Sequence, residues 1–326
     1  MLLKFIYKIS ISVALAACSA AAPAAATDQY PSRPIRLVIS YSAGGPVDIV
    51  GRLAGIKLAE ALGQPVVADN RAGANGNIAT EIVAASTPDG HTLLVGSNGS
   101  IAINPSLYPP RGADPARDLA PVILLASSPL ILVTHPSFAP NSVNELIQIA
   151  KSRSGGINFG SAGNGSSAHL AAELFKTMSH VNLVHIPYKG AAPALTDLVA
   201  GQVQIMFTGV SATLPFVRGG KLKALGVTGE KRVAVLPEVP AIGETVPGYE
   251  VTTWYGIFAA AKTSPAVILR LHRTLSDALA ATDTRQRLAA LGAEPSGMAP
   301  APFALMIKRE IAKWANVIRI AQVRAE

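Results

Sequence analysis

The sequence has little cysteine, little charge and few aromatic side chains. Its single cysteine, Cys18, lies near the N-terminus, so the remainder offers no disulfide, no thiol nucleophile and no cysteine-based metal site. Charged residues make up only 15% of the 326 residues and aromatic residues only 5%, whereas hydrophobic residues make up 49%. This balance excludes a disordered chain and predicts a well-buried globule, long enough for two domains.

Motifs of several enzyme classes are also missing. Neither the nucleophile elbow G-x-S-x-G nor the phosphate-binding G-x-x-x-x-G-K-[ST] occurs. Gly160, Gly163 and Gly165 have the dinucleotide-binding spacing reversed, which is a weak indication of a cofactor. The six histidines are scattered and form no metal-ligand pair on one helix face. We therefore predict no cofactor, no metal and no enzymatic activity; an exported hydrolase, which would need a Ser–His pair, is the less favoured alternative.

The formal net charge of +8 comes from basic residues that are scattered singly. Without a Lys/Arg run or interleaved aromatic residues, this charge does not predict nucleic-acid binding. A mild positive field that draws small anions toward a cleft fits the pattern better.

The N-terminus has the pattern of an export signal. The apolar run Ile9–Ala17 is too short to span a bilayer, and small residues at Ala24–Ala26 offer a cleavage site. We therefore predict that residues 1–26 are a signal peptide and that the protein is periplasmic. Because Leu15–Cys18 also has the form of a lipobox, a lipid anchor at Cys18 is the alternative. No later run is long and apolar enough for a transmembrane helix.

Strands alternate with helices along the rest of the chain, which predicts an α/β fold with parallel, doubly wound sheets. Strands at Val122–Leu125 and Leu130–Thr134 are expected near a first crossing into a second domain, and the Pro-rich stretch 236–249 is typical of a return linker. We predict two domains around a cleft. Domain 1 comprises 27–127 and 252–326, and domain 2 comprises 128–251.

One local pattern, a strand followed by a loop of small residues and a helix start, occurs twice. In Ile157–Met178 an apolar strand passes through a loop of small residues into a helix that begins at Ser166 or Ser167, and Ile35–Asp48 has the same order. A helix start leaves backbone N–H groups without intrahelical acceptors, at the positive end of the helix dipole, which suits a carboxylate or a phosphate. The alternative is that Ser166 only caps its own helix.

Several single residues allow two interpretations each. Asp48 is a candidate for binding an amino or hydroxyl group of a ligand, or it satisfies backbone groups at its own helix start. Tyr188 either donates to a carboxylate or is a partly buried hinge residue. His169 could reach a ligand, although a helix-surface histidine is the commoner outcome. Arg71 either clamps an anion or pins its own loop.

A series of short motifs also runs along the chain in a fixed order. In the first half they are Gly44-Gly45-x-x-Asp48, Gly63-Gln64-Pro65-Val66-Val67, Asn70-Arg71-x-Gly73-x-x-Gly76, Pro88-Asp89-Gly90 and Ile103-Asn104-Pro105-Ser106-Leu107-Tyr108. In the second half they are Asn158-Phe159-Gly160-Ser161-Ala162-Gly163-Asn164-Gly165, His185-Ile186-Pro187-Tyr188-Lys189-Gly190, Pro193-Ala194-Leu195-Thr196-Asp197-Leu198 and Leu291-Gly292-Ala293-Glu294-Pro295. This order resembles the Bug-type solute receptors, the extracytoplasmic binding proteins of tripartite tricarboxylate transporters.

The resemblance implies a periplasmic binding protein of the type II fold that closes on a small mono-, di- or tricarboxylate. Its partners would be that carboxylate and the membrane permease subunits, with a membrane sensor kinase as the alternative, and we expect a monomer. Carried over from the family, the ligand-binding residues are Ser42, Ala43, Gly44, Asp48 and Ser97 in domain 1 and Ser161, Asn164, Ser166, Ser167 and Tyr188 in domain 2.

The chain departs from the family pattern at two places. Ser40–Ala43 replaces a proline-rich first loop, and Thr208 follows Phe207 where the family often carries Asp. Both places are expected to border the cleft, so the ligand preferences usual in the family do not transfer directly.

Overall fold

A computed structural model of the protein describes residues 30–108 and 112–324. The predicted signal peptide, 1–26, and the alternative lipid anchor at Cys18 lie outside the described residues. Within the described ranges, no helix is both long enough and apolar enough to cross a membrane.

The described residues contain ten strands and eleven α-helices. The strands are β1 Ile35–Ile39, β2 Val66–Asn70, β3 Thr92–Ser97, β4 Leu119–Thr134, β5 Ile157–Ser161, β6 Leu183–Pro187, β7 Ile205–Gly209, β8 Lys223–Val227, β9 Thr252–Ala260 and β10 Glu294–Met298. The helices are α1 Pro46–Leu62, α2 Asn77–Ala84, α3 Asn104–Leu107, α4 Pro115–Asp118, α5 Val143–Ser152, α6 Ser167–Ser179, α7 Ala191–Val199, α8 Val210–Arg218, α9 Pro265–Ala280, α10 Thr282–Ala290 and α11 Pro300–Ala321.

The strands form one mixed sheet in the order β2-β1-β3-β9-β4-β7-β5-β6, with β8 and β10 also paired to β4. The predicted α/β class is therefore correct, but the expectation of purely parallel sheets is wrong. The βαβ units are parallel, as expected, whereas β9 runs antiparallel to β3, and β4 runs antiparallel to β7, β8, β9 and β10. Antiparallel pairs arise because β4 and β9 carry the chain between the two halves of the molecule.

β4 is a single strand of 16 residues, not the two short strands expected at 122–125 and 130–134. The small, turn-like stretch Ser127–Pro129 stays extended because it pairs with Thr252–Trp254 of β9. From residue 130 onward the partners change to β7 and β8. We call β1–β3, β9, β10 and residues 119–129 of β4 the first lobe, and β5–β8 with residues 130–134 the second lobe. The predicted domain boundaries stay a prediction, and β4 changes partners close to one of them.

The structure contains the helix starts and ends that the sequence predicts at Pro46, Gly63, Ser142 and Ser166. α1 begins at Pro46 and ends at Gly63, which has a left-handed backbone with φ of 69°. α5 is capped by the Ser142 hydroxyl, which accepts from the N–H of Glu145 at 3.1 Å. α6 is capped by Ser166, whose hydroxyl accepts from the N–H of His169 at 3.2 Å. These interactions are local, so the sequence pattern was sufficient to predict them.

Three local expectations were wrong. The small polar residues 97–100 predict a loop at the end of a strand, but a π-helical turn, Gly99–Ile103, follows β3 after one residue and continues into α3. The Pro- and charge-rich stretch 105–121 predicts a surface excursion, but Leu107 is buried and Leu119 begins β4. β10 was missed because Glu294–Met298 has no strand-like composition, and only its pairing with Leu124–Ser127 makes it a strand.

The C-terminal helix α11 packs on β4 of the first lobe and also contacts α6 of the second. Its Phe303 ring meets the Trp254 ring edge-on, with centroids 5.4 Å apart. The carboxylate of Glu310 accepts from the indole N–H groups of Trp314 at 3.0 Å and Trp254 at 3.3 Å. Buried aromatic pairs of this kind add roughly 0.5–1.5 kcal/mol beyond their area. The return of the chain to the first lobe is thus fixed by an aromatic core.

We predict that Gly256→Ala destabilises the fold. A Cβ at Gly256 would lie 2.5 Å from Cζ of Phe303 and 3.2 Å from the carbonyl oxygen of Ile123. Overpacking of this kind should lower the free energy of unfolding by about 1–3 kcal/mol, measured by urea denaturation. Gly155→Ala is the matched control, because its Cβ would meet no atom within 4 Å. Equal stability of the two variants would contradict the role assigned to the Phe303 contact.

Candidate ligand-binding cleft

A cavity lies between the two lobes, with about 450 Å³ of space including part of its open mouth. Its first-lobe lining consists of Tyr41, Gly45, Pro46, Val47, Ser97, Thr253 and Tyr255. Its second-lobe lining consists of Leu130, Ala162, Ser166, Ser167, Ala168, Ala191, Thr208 and Gly209. The site is therefore built from residues far apart in sequence, which only the packing of the lobes brings together.

Four helix starts meet at this cavity. α1, α6, α7 and α8 begin at Pro46, Ser167, Ala191 and Val210, and their first residues or N-caps belong to the lining. The N-caps of α1, α7 and α8 are glycines, which provide no side-chain acceptor for the first N–H groups. Unsatisfied N–H groups and aligned helix dipoles favour an anion at such a place.

The cavity lining contains hydroxyl groups but no charged side chain. Thr208 and Thr253 are only 2% and 5% exposed, and their Oγ1 atoms have no hydrogen-bond partner within the described ranges. A buried hydroxyl without a partner costs free energy unless a ligand or water satisfies it. The two threonines therefore mark the cavity as a place where a polar group of another molecule belongs.

The lobes are in contact across the cavity. The Ser167 hydroxyl donates to Oδ1 of Asn98 at 2.6 Å, and the Tyr108 hydroxyl donates to the carbonyl oxygen of Asn164 at 3.1 Å. Gly209 lies so close to the other lobe that a Cβ on it would be 2.5 Å from Cγ of Pro46. These contacts describe a closed arrangement of the lobes.

The structure brings together only some of the residues expected to bind ligand. Ser97, Ser166 and Ser167 line the cavity. Asn164 and Tyr188 instead line a second cavity of about 700 Å³ beside it, which shares the lining residues Tyr41 and Ala162.

Four first-loop residues that were expected at the ligand lie outside the lining of the cavity: Ser42, Ala43, Gly44 and Asp48. The Ser42 hydroxyl is buried beside Gly190 of the second lobe and has no partner within the described ranges. Ala43 and Gly44 are exposed. The same loop reaches the cavity through Tyr41 and Gly45 instead.

The Asp48 carboxylate is occupied by its own lobe. It accepts from the Gly44 N–H, from Nε of Arg52 and from Nδ2 of Asn70, each at 2.9 Å. Burial raises the pKa of this carboxyl, but the hydrogen bonds outweigh burial and hold the pKa below its ordinary value. Of the two interpretations, the geometry favours the carboxylate that fixes its own helix start.

Ser161 belongs to a buried cluster behind the cavity. Its hydroxyl is 2.6 Å from Nε2 of His185 and exchanges hydrogen bonds with the backbone of Gly163. Ser161 is 0% exposed and does not line the cavity, so a substrate in the cavity would not reach this Ser–His pair. The pair therefore organises the loop rather than providing a nucleophile.

The His185 ring stacks on the His169 ring with centroids 3.8 Å apart and planes 7° apart. Nδ1 of His169 accepts from the Gly165 N–H at 3.1 Å, so this nitrogen carries no proton. Burial, and then the charge of Lys176, lowers the pKa of His185 to about 4. Burial, His185 and Lys176 lower the pKa of His169 to about 3. The expectation of a helix-surface histidine was wrong, because His169 is buried against the loop between β5 and α6.

Tyr188 and Arg71 have partners of their own. The Tyr188 hydroxyl donates to Oδ2 of Asp197 at 2.6 Å, and burial, followed by Asp197, raises its pKa to about 12. Nε of Arg71 lies 2.9 Å from Oδ1 of Asp69. Arg71 is thus paired with a neighbouring carboxylate and is not placed as an anion clamp.

Sequence reasoning missed several lining residues. Tyr41 was not singled out within its small-residue loop. Tyr255 was expected only as part of a returning strand at 254–260, and Thr253 was not considered. Because side chains alternate along a strand, residues 253 and 255 share one face. The sequence signal for these two residues was a threonine and a tyrosine two positions apart on one strand face. It indicates a site only when the pairing of β9 with β4 is known.

The fold and the cavity together define a class. Two lobes joined by β4 and β9, with helix starts facing an interlobe cavity, form a solute-binding protein of the type II periplasmic fold. The chain belongs to the tripartite tricarboxylate transporter family receptors, since the TctC family model matches residues 50–323. The expectation of a Bug-type receptor is confirmed.

The chain is similar to known members over nearly its whole length. It is 37% identical over 311 residues to Protein BugT of Bordetella pertussis, covering 95% of each chain. Among solved structures it resembles R. palustris Rpa4515 with adipate, with 37% identity and a TM-score of 0.89, covering 90% of this chain and 99% of that one. It also resembles MatC (Rpa3494) from Rhodopseudomonas palustris with bound malate, with 34% identity and a TM-score of 0.82, covering 89% and 100%.

The histidine stack predicts a pH dependence of stability. Because His169 and His185 have folded-state pKa values of about 3 and about 4, the unfolded chain, with ordinary histidine pKa values near 6.5, binds protons that the folded chain does not. The contribution of the two neutral histidines to the free energy of unfolding is complete above about pH 6.5 and is lost as the pH falls toward 4. We expect the urea midpoint to fall between pH 7 and pH 5. The double variant His169→Gln, His185→Gln should show a flatter dependence; an unchanged slope would contradict the assignment.

Proposed function

We propose that this protein is a periplasmic receptor that captures a small organic carboxylate in the interlobe cavity and delivers it to the permease subunits of a tripartite tricarboxylate transporter. The observation that carries the proposal is the convergence of four helix starts on a cavity without charged side chains. Helix N–H groups and hydroxyls can hold one carboxylate without a dedicated cation. Relatives whose structures hold adipate and malate support the same ligand chemistry.

The ligand contacts we propose are Ser97 from the first lobe and Ser166 and Ser167 from the second. The starts of α1 and α6 belong to different lobes and both line the cavity, so a carboxylate bound by both favours the closed arrangement. Ser42, Ala43 and Gly44 act indirectly, and Asp48 fixes the conformation of their loop. The protein acts on its ligand by binding and release and catalyses no reaction, which fits the buried position of Ser161.

The direct test is a binding screen of the purified protein against small organic acids. A ligand at about 100 times its dissociation constant should add roughly 2.7 kcal/mol to the free energy of unfolding, which raises the melting temperature by several degrees. Neutral amides of the same acids are the controls and should cause no shift. The proposal is wrong if folded protein responds to no carboxylate in a broad panel, or responds equally to the amides.

Lobe closure has its own test in Gly209→Ala. The backbone of Gly209, with φ of −67° and ψ of 139°, accommodates alanine, but the added Cβ would collide with Pro46 across the cavity. We expect carboxylate affinity to fall by about 5- to 150-fold, because a steric cost of about 1–3 kcal/mol falls on the closed arrangement alone. The melting temperature of the ligand-free protein should change little.

Small-angle scattering supplies the second measurement for this variant. With saturating carboxylate, the native protein and the control Gly155→Ala should contract, whereas Gly209→Ala should contract less at the same ligand concentration. Full affinity and full contraction in Gly209→Ala would mean that the Pro46–Gly209 contact is not part of the ligand-bound state.

A further inference from the structure

The electrostatics of the interlobe cavity restrict the charge of its ligand. The lining holds no Asp, Glu, Lys, Arg or His. The nearby carboxylate of Asp48 is already paired with Arg52 and therefore offers no free charge. One carboxylate can be satisfied at the helix starts, but a second one would find no cationic side chain in the lining, so no ion pair would offset its desolvation.

The walls of the cavity are mainly apolar. Leu130, Pro46 and Val47 contribute aliphatic surface, and the aromatic residues Tyr41 and Tyr255 also belong to the lining. Apolar and aromatic surfaces bind the hydrocarbon body of a ligand through area burial and ring contacts. The body of the ligand is therefore compact and apolar.

The two unpartnered hydroxyls give the cavity a second polar feature. Thr208 and Thr253 come from different strands, β7 and β9, and both line the cavity. Their strands pair with β4 at Ile131 and Ser128, so the threonines flank the strand that joins the lobes. An uncharged hydrogen-bonding group on the ligand, such as a hydroxyl, can satisfy one of them.

Of the interlobe cavity and its neighbour, only the neighbour has a charged side chain in its lining, Lys189. Lys189 is exposed to solvent, so its ammonium is screened and attracts a carboxylate only weakly. A dicarboxylate would have to extend past Tyr41 and Ala162, which line both cavities, to reach it.

We infer that the interlobe cavity takes a monocarboxylate whose compact, ring-sized apolar body carries a hydroxyl group, an inference that rests on the proposed receptor function. The carboxylate lies at the helix starts, the ring lies between Tyr41 and Tyr255, and the hydroxyl meets Thr208 or Thr253. This ligand class differs from the dicarboxylates adipate and malate in the similar structures.

The test is calorimetric titration of the purified protein with benzoate, its three monohydroxy isomers, terephthalate, adipate and malate. At least one hydroxybenzoate should bind more tightly than benzoate. Terephthalate, which adds only a second carboxylate to benzoate, should bind at least about 100-fold more weakly than benzoate because that charge is unpaired.

Two threonine variants test which residue binds the hydroxyl group of the ligand. Thr208→Val and Thr253→Val keep the side-chain shape, and at least one of them should lower the affinity ratio of the best hydroxybenzoate to benzoate by about tenfold. Thr263→Val is the matched control. Thr263 is also buried with an unpartnered hydroxyl, but it does not line the cavity, so its variant should keep the native ratio.

Three outcomes would overturn the inference. Adipate or malate binding as tightly as the benzoates, with loss in Lys189→Gln, would make the ligand a dicarboxylate and leave the receptor function standing. An affinity ratio unchanged in both threonine variants would remove the hydroxyl contact. Absence of binding by any carboxylate, in folded protein, would overturn the receptor function and this inference with it.

Discussion

Backbone N–H groups in the first turn of a helix have no acceptor within that helix, and the architecture of this protein concentrates such groups at one place. Four helices begin at the interlobe cavity, three of them after glycine N-caps that provide no side-chain acceptor. The site can therefore be attractive to an anion without containing a charged residue. This arrangement also explains the low charge of the chain around its cleft.

The sheet holds these helix starts in register. β4 runs through both lobes, pairing with β9 in the first lobe and with β7 in the second, so it sets where the βα loops of the two lobes lie relative to one another. Glycines then allow the lobes to approach, because Gly209 faces Pro46 and Gly190 faces Ser42 with no room for a Cβ. In a two-lobed receptor of this family, such tight contacts mean that one added carbon atom can disfavour the closed state. The free energy of ligand binding can favour that state.

Many polar residues near the cavity shape it without lining it. Asp48 fixes the first loop through three hydrogen bonds, and the stacked His169 and His185 fix the loop between β5 and α6. Both interactions are buried. The Asp48 carboxylate stays charged because its hydrogen bonds outweigh desolvation, and the two imidazoles stay neutral because burial and the charge of Lys176 lower their pKa values. The lining itself is left to hydroxyls, glycines and apolar side chains.

The sequence by itself determined the α/β class, the helix ends at Gly63, Ser142 and Ser166, and the family, because caps and periodic patterns are local and ordered motifs keep their spacing. Only the tertiary structure decided the unbroken β4, the edge strand β10 and the antiparallel crossings, since partner strands from distant parts of the chain supply those hydrogen bonds. The same holds for the site. Ser97, Ser166 and Ser167 end strands or begin helices and could be predicted, and the resemblance placed Thr208 at the border of the cleft. Tyr41, Thr253 and Tyr255 meet only where two lobes close, and no local pattern encodes that distance.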